Sequence, residues 1–164
     1  MSEKNIKWDK VFYGKAWIDH VVDTIKTKDI LQSFYFKRYL LRAIMAGFIL
    51  GVITVFVLLI KASLETHLPS GVINIIASIA FSFALVLILF TNSELLTSNF
   101  MYFTVGLYYR VITPTRVLKI FTLCFIGNAL GGFLFFLLLR HSDVMSTDML
   151  IQLEHTIEHK TLTA

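Results

Sequence analysis

One cysteine in 164 residues excludes an internal disulfide and any metal cluster built from thiolates. That residue, Cys124, lies inside an apolar run, where packing is its ordinary role. Charge is also scarce. Only 16% of residues are Asp, Glu, Lys or Arg, against about 25% in soluble domains, so a water-soluble globule is the wrong class. No histidine falls within a long apolar run (His20, His67, His141, His155 and His159 all lie outside), so the sequence holds no intramembrane imidazole relay. No apolar segment precedes Tyr39, which is the wrong layout for a cleaved secretory signal.

Hydrophobic residues make up 56% of the chain, and the mean hydropathy is +0.72. They gather in three regions: Tyr39–Ile60 as span one, Gly71–Tyr109 as an interrupted span two, and Val117–Leu139 as span three. The first and third can each cross a hydrocarbon core of ~30 Å at ~1.5 Å per residue. The formal charge of +4 is unevenly placed. Lys26, Lys28, Lys37, Arg38 and Arg42 precede span one, and Arg110, Arg116 and Lys119 lie between spans two and three. The other side has Lys61, Arg140 and Lys160. The positive-inside rule then predicts a cytoplasmic N-terminus and an external C-terminal tail, so the basic excess is a topology signal and no nucleic-acid partner is expected. Reading Gly71–Tyr109 as a hairpin would reverse Arg110, Arg116 and Lys119 and leave Met101–Tyr109 too short to cross. One broken span is predicted instead.

Residues 1–38 read as a cytoplasmic leader. Trp17, Ile18, Val21, Val22 and Ile25 recur at helical spacing, with Lys15, Asp19, Asp23 and Lys26 opposite. Such a helix either lies on the membrane or docks on a neighbouring subunit, or it plugs a pore. Ala43, Gly47 and Gly51 in span one, and Gly127, Gly131 and Gly132 beside Asn128 in span three, are small residues that let helices approach closely in lipid. Pro69-Ser70-Gly71 marks a turn, and Thr113-Pro114 marks a helix start.

The break itself, Thr91–Phe100, with its loop expected at 91–99, concentrates the polar chemistry. Irregular backbone at membrane depth is tolerated only against protein or an aqueous cavity, and broken helices aim their end dipoles at passing solutes. Glu94 either supports the loop, through a Thr91-x-x-Glu94 capping box or by holding free N–H groups, or touches solute or proton directly. Thr97, Ser98 and Asn99 offer donors suited to an anion near the start of a second half-helix. Phe81, Leu85, Leu95 and Leu96 are either core packing or dewetted constrictions that exclude hydrated ions. In the tail, His155-Thr-Ile-Glu158-His159 matches an H-x-x-E-H metallopeptidase pattern, but no catalytic core or third ligand accompanies it. Neither a catalytic residue nor a metal or other cofactor is expected.

Four stretches together resemble the formate/nitrite transporter family. Arg42-Ala-Ile-Met-Ala-Gly-Phe-Ile-Leu-Gly51 resembles its first span. Phe81–Leu89, followed by Asn92-Ser-Glu-Leu-Leu-Thr-Ser-Asn99, resembles its interrupted second span and loop. Ile126-Gly-Asn-Ala-Leu-Gly-Gly132 resembles a G-N-x-x-G in the third span, and His159-Lys160 resembles the approach to a fourth. Asn92 stands where the loop usually has glycine, and Leu96 where it has Phe. The resemblance implies an all-α integral membrane protein, half of an aquaporin-like inverted repeat, with the loop at mid-membrane and a fourth span missing after the 140–164 tail. It also implies a plasma- or inner-membrane homo-pentamer that passes small monovalent anions with a proton. By position, Phe81 would form the outer constriction and Leu85, Leu95 and Leu96 the inner one. Thr97 would line the path, Lys160 would draw anions to the outer mouth, and Glu94 and Asn99 would support the loop. A non-transporting three-span assembly protein is the alternative from the residues alone.

Overall fold

The computed structural model describes residues 13–142 and the helical positions 151, 154 and 157. Five helices are delimited among the described residues: α1 Tyr13–Phe34, α2 Phe36–Leu64, α3 Ser70–Phe90, α4 Leu96–Tyr108 and α5 Pro114–Arg140. Among the described residues there is no strand. Three helices, α2, α3 and α5, are long and apolar enough to cross a membrane, and at most 33% of each is buried within the chain. The protein is therefore an all-helical membrane protein whose spans leave most of their surface to lipid or to other protein.

α2 and α5 run parallel and pack most closely. A Cβ built on Gly47 would lie 2.0 Å from the Asn128 carbonyl oxygen, and one on Gly131 would lie 1.9 Å from that of Ile44. The helices touch backbone to backbone, which supplies van der Waals contact where lipid offers no hydrophobic drive. Gly132 has open space around it, so the small-residue stripe of α5 consists of Gly127 and Gly131 without it. α3 returns antiparallel along α2, with Ala84 and Ile88 packed against Ala46, Ile49 and Ile53.

α1 docks on its own chain. Val21 and Ile25 are each 1% exposed, and Ile25 lies against Gly106 of α4 and Ile112. The apolar stripe thus meets its own chain at Val21 and Ile25. Trp17, from the same stripe, remains half exposed.

The helix boundaries have local causes. Pro69 caps α3, and Pro114 occupies the first turn of α5 after Thr113, whose side chain makes no capping bond. α3 and α4 each end in a Schellman motif. Ser93 N–H reaches Ile88 O at 3.0 Å and Asn92 N–H reaches Leu89 O at 3.1 Å; Val111 N–H reaches Gly106 O at 2.9 Å and Arg110 N–H reaches Leu107 O at 3.1 Å. The left-handed residue is Asn92 (φ 50°) in the first and Arg110 (φ 56°) in the second. Glycine is favoured at that position, and Asn is the usual substitute. The loop's departure from glycine at Asn92 is thus conformationally mild.

Candidate functional site: the clamped break between α3 and α4

The unwound backbone is Thr91–Leu95, and helix resumes at Leu96. The loop is shorter than the 91–99 stretch that its polarity suggests, and Thr97, Ser98 and Asn99 sit in the first turn of α4. The reason is local satisfaction. Asn99 N–H already bonds Leu95 O at 3.1 Å, closing a helical turn across the polar stretch. No capping box forms, because the Thr91 hydroxyl bonds back to Leu87 O at 2.7 Å and contacts the Ser93 hydroxyl at 2.7 Å.

Buried loops must satisfy their peptide groups from elsewhere. Here the partners come from other helices. Glu94 N–H donates to Arg42 O of α2 at 3.1 Å. The Asn128 amide of α5 donates to Glu94 O at 2.9 Å and to Ala43 O at 2.8 Å, while its oxygen accepts Leu96 N–H at 3.1 Å. One side chain thereby ties α2, the loop and the start of α4 together. Asn128, expected only as a packing residue, is the loop's main clamp. Asn128→Ala should leave the Leu96 N–H unsatisfied and strip Glu94 O of one of its two side-chain donors, at a cost of about 1–3 kcal/mol for a buried group not reached by water. Faster hydrogen exchange at the Leu96 amide would report it; unchanged exchange would exclude Asn128 as the clamp.

Beneath the loop lies a buried polar chain. The Glu94 carboxylate is 5% exposed and pairs with Lys28 of α1. Lys28 also donates to Asn99 Oδ1 at 2.9 Å. The Asn99 amide in turn donates to the Tyr39 hydroxyl at 3.1 Å and to Cys124 Sγ at 3.4 Å, and the thiol donates to Glu94 O at 3.3 Å. Tyr39, Asn99 and Cys124 are all 0% exposed. Each partner is met, as a buried polar cluster requires. A second contact, Arg116 Nη1 to Asp29 Oδ2 at 2.6 Å, holds α1 against the start of α5.

The path-lining candidates fall into two groups. Leu95 is buried and Leu96 half-buried at the break, whereas Phe81, Leu85 and Thr97 are exposed. Thr97 makes no side-chain hydrogen bond among the described residues. Lys160 and the His155–His159 motif lie outside the described residues. Sequence reasoning missed Lys28, Tyr39 and Cys124 as members of the cluster. Tyr39 was legible only as the edge of a span and Lys28 only as a topology charge, because their partners are distant in sequence.

A helix broken by a clamped loop among membrane-length helices is an arrangement met at the sites of membrane transporters. A family model described as Formate/nitrite transporter matches residues 15–164. The chain belongs to the formate/nitrite transporter family, which makes it a membrane protein of anion transport. A search of curated proteins returned no match.

Proposed function

We propose that the chain is the N-terminal half of a channel or transporter that passes small monovalent anions of the formate or nitrite type together with a proton. The reading further assigns it to a plasma- or inner-membrane homo-pentamer with a cytoplasmic N-terminus. The observation that carries it is the break at Thr91–Leu95, held by side chains of α1 and α5 and by the α2 backbone. A purely structural helix has no need of such a break.

In this reading Leu85, Leu95 and Leu96 form the inner constriction, Phe81 forms the outer one, Thr97 offers a hydroxyl beside the path, and Lys160 gathers anions outside. α3 alone has 21 residues and reaches ~31 Å, a full hydrocarbon thickness. Loop residue Glu94 is also bonded at the height of Arg42, near the start of α2. Against that, Asn128, which holds Glu94 O, stands near the middle of the uncharged stretch 120–139 of α5, and this register favours a loop near mid-depth. A bare anion between leucines carries a desolvation penalty of several kcal/mol, which protonation removes.

The test is formate uptake into vesicles by three forms: the chain alone, the chain joined to three further spans, and that six-span form carrying Thr97→Val. Uptake is expected only from six spans, lowered about two- to ten-fold by the valine, the value of one hydrogen bond. Equal uptake by the short chain would overturn the half-transporter reading. Absence of uptake from every form would favour the three-span assembly protein.

A further inference from the structure

We propose that the groove between the α1–α2 corner and α5 binds one anionic phospholipid of the basic-side leaflet. The groove has a volume of ≈ 400 Å³ and is lined by Gln32, Phe36, Leu118, Lys119, Thr122, Leu123 and Ile126. Its chemistry is graded along α5: a cation and an amide at one end, then Thr122, whose hydroxyl is spent on Leu118 O at 2.9 Å, and the apolar Leu123 and Ile126. That gradient matches a phosphate followed by an acyl chain.

The height is right as well. Residues 120–139 of α5 carry no charge and cover ~30 Å, so Lys119 and Arg140 mark the two edges of the hydrocarbon. Lys119 therefore stands at headgroup level with the groove running inward. It makes no ion pair or hydrogen bond among the described residues, unlike Arg116 one turn earlier, which is held by Asp29. The α2–α5 register, with Ala43 against Gly127, puts the exposed Lys37 and Arg38 near the same height, which marks this as the basic side, while neither residue lines the groove. A second groove, of ≈ 380 Å³, lies between the other ends of α2 and α5, lined by Val52, Phe56, Leu59 and Phe135. It has no cation among its lining residues and serves as the internal control. Juxtamembrane Lys and Arg attract anionic headgroups, and a basic pocket between helices gives that attraction a fixed address.

Native mass spectrometry of the detergent-purified chain, offered phosphatidylglycerol or phosphatidylcholine with identical acyl chains, tests the proposal. Wild type should retain one phosphatidylglycerol with about five-fold preference, the contribution of a single headgroup cation. Lys119→Gln should erase the preference while unfolding at the wild-type temperature, since Lys119 holds nothing else in the fold. Ile126→Trp, which fills the apolar end, should lower retention of both lipids. Glycerophosphate, a headgroup without chains, should not bind. Equal retention of both lipids by wild type, or a preference that survives Lys119→Gln, would overturn the site. So would efficient disulfide cross-linking of two chains through Thr122→Cys, because a second copy would then occupy the groove.

Discussion

Lys28→Met is expected to lower the thermal unfolding midpoint in detergent more than any other single side-chain change at the loop. The substitution leaves the Glu94 carboxylate, 5% exposed, without its cation, and removes the donor to Asn99 Oδ1. Breaking a buried ion pair from one side costs about 3–5 kcal/mol, because the surviving charge stays desolvated. The double variant Lys28→Met/Glu94→Gln should recover much of the loss, since it removes the stranded charge along with its partner. A midpoint for Lys28→Met equal to wild type would mean that Glu94 is reached by water and that α1 is not a structural part of the loop. The pair has a further consequence. α1 is attached to the loop by charge and to the start of α5 by Arg116–Asp29, so this helix belongs to the folded unit.

Legibility in the sequence followed the range of the interactions. Spans one and three appear as unbroken apolar runs because lipid demands local, continuous hydrophobicity. The observed helices extend beyond the expected edges by only a few residues, α2 running from Phe36 to Leu64 and α5 from Pro114 to Arg140. The break was legible at Asn92-Ser93-Glu94, since polar residues interrupt an apolar helix there. Its end was not. Thr97, Ser98 and Asn99 look like loop by composition, yet they form a helical turn because Leu95 O accepts the Asn99 amide. The Lys28–Glu94 pair and the three bonds of Asn128 leave no periodic trace, because each joins residues more than thirty positions apart. Glu94 was recognisable as costly, but which side chain offsets the cost depended on how α1 folds back.

Gly131→Ala and Gly47→Ala should each destabilise the protein severely, by about 3 kcal/mol or more, at the upper end of overpacking effects. Most small-to-large changes are softened by a neighbouring side chain that changes rotamer. Here the obstacle at each position is backbone: the Ile44 oxygen at 1.9 Å for Gly131, and the Asn128 oxygen at 2.0 Å for Gly47. A helix cannot move one carbonyl, so α2 and α5 must separate as bodies. Separation along a shared seam explains why the double variant should cost less than the two singles added, as coupled neighbours do. Gly51→Ala meets the Phe135 ring, which can turn away, and should be milder. Gly132→Ala meets nothing within 4 Å and should be neutral or slightly stabilising. The same seam carries Asn128, whose bonds to Ala43 O and Glu94 O span it. Opening the seam therefore withdraws the clamp, so hydrogen exchange at the Glu94 and Leu96 amides should accelerate in Gly47→Ala under conditions where the helices stay folded. If unfolding midpoints fell while those two amides kept wild-type exchange, helix packing and loop geometry would be independent, and the α2–α5 seam would have no part in holding the break.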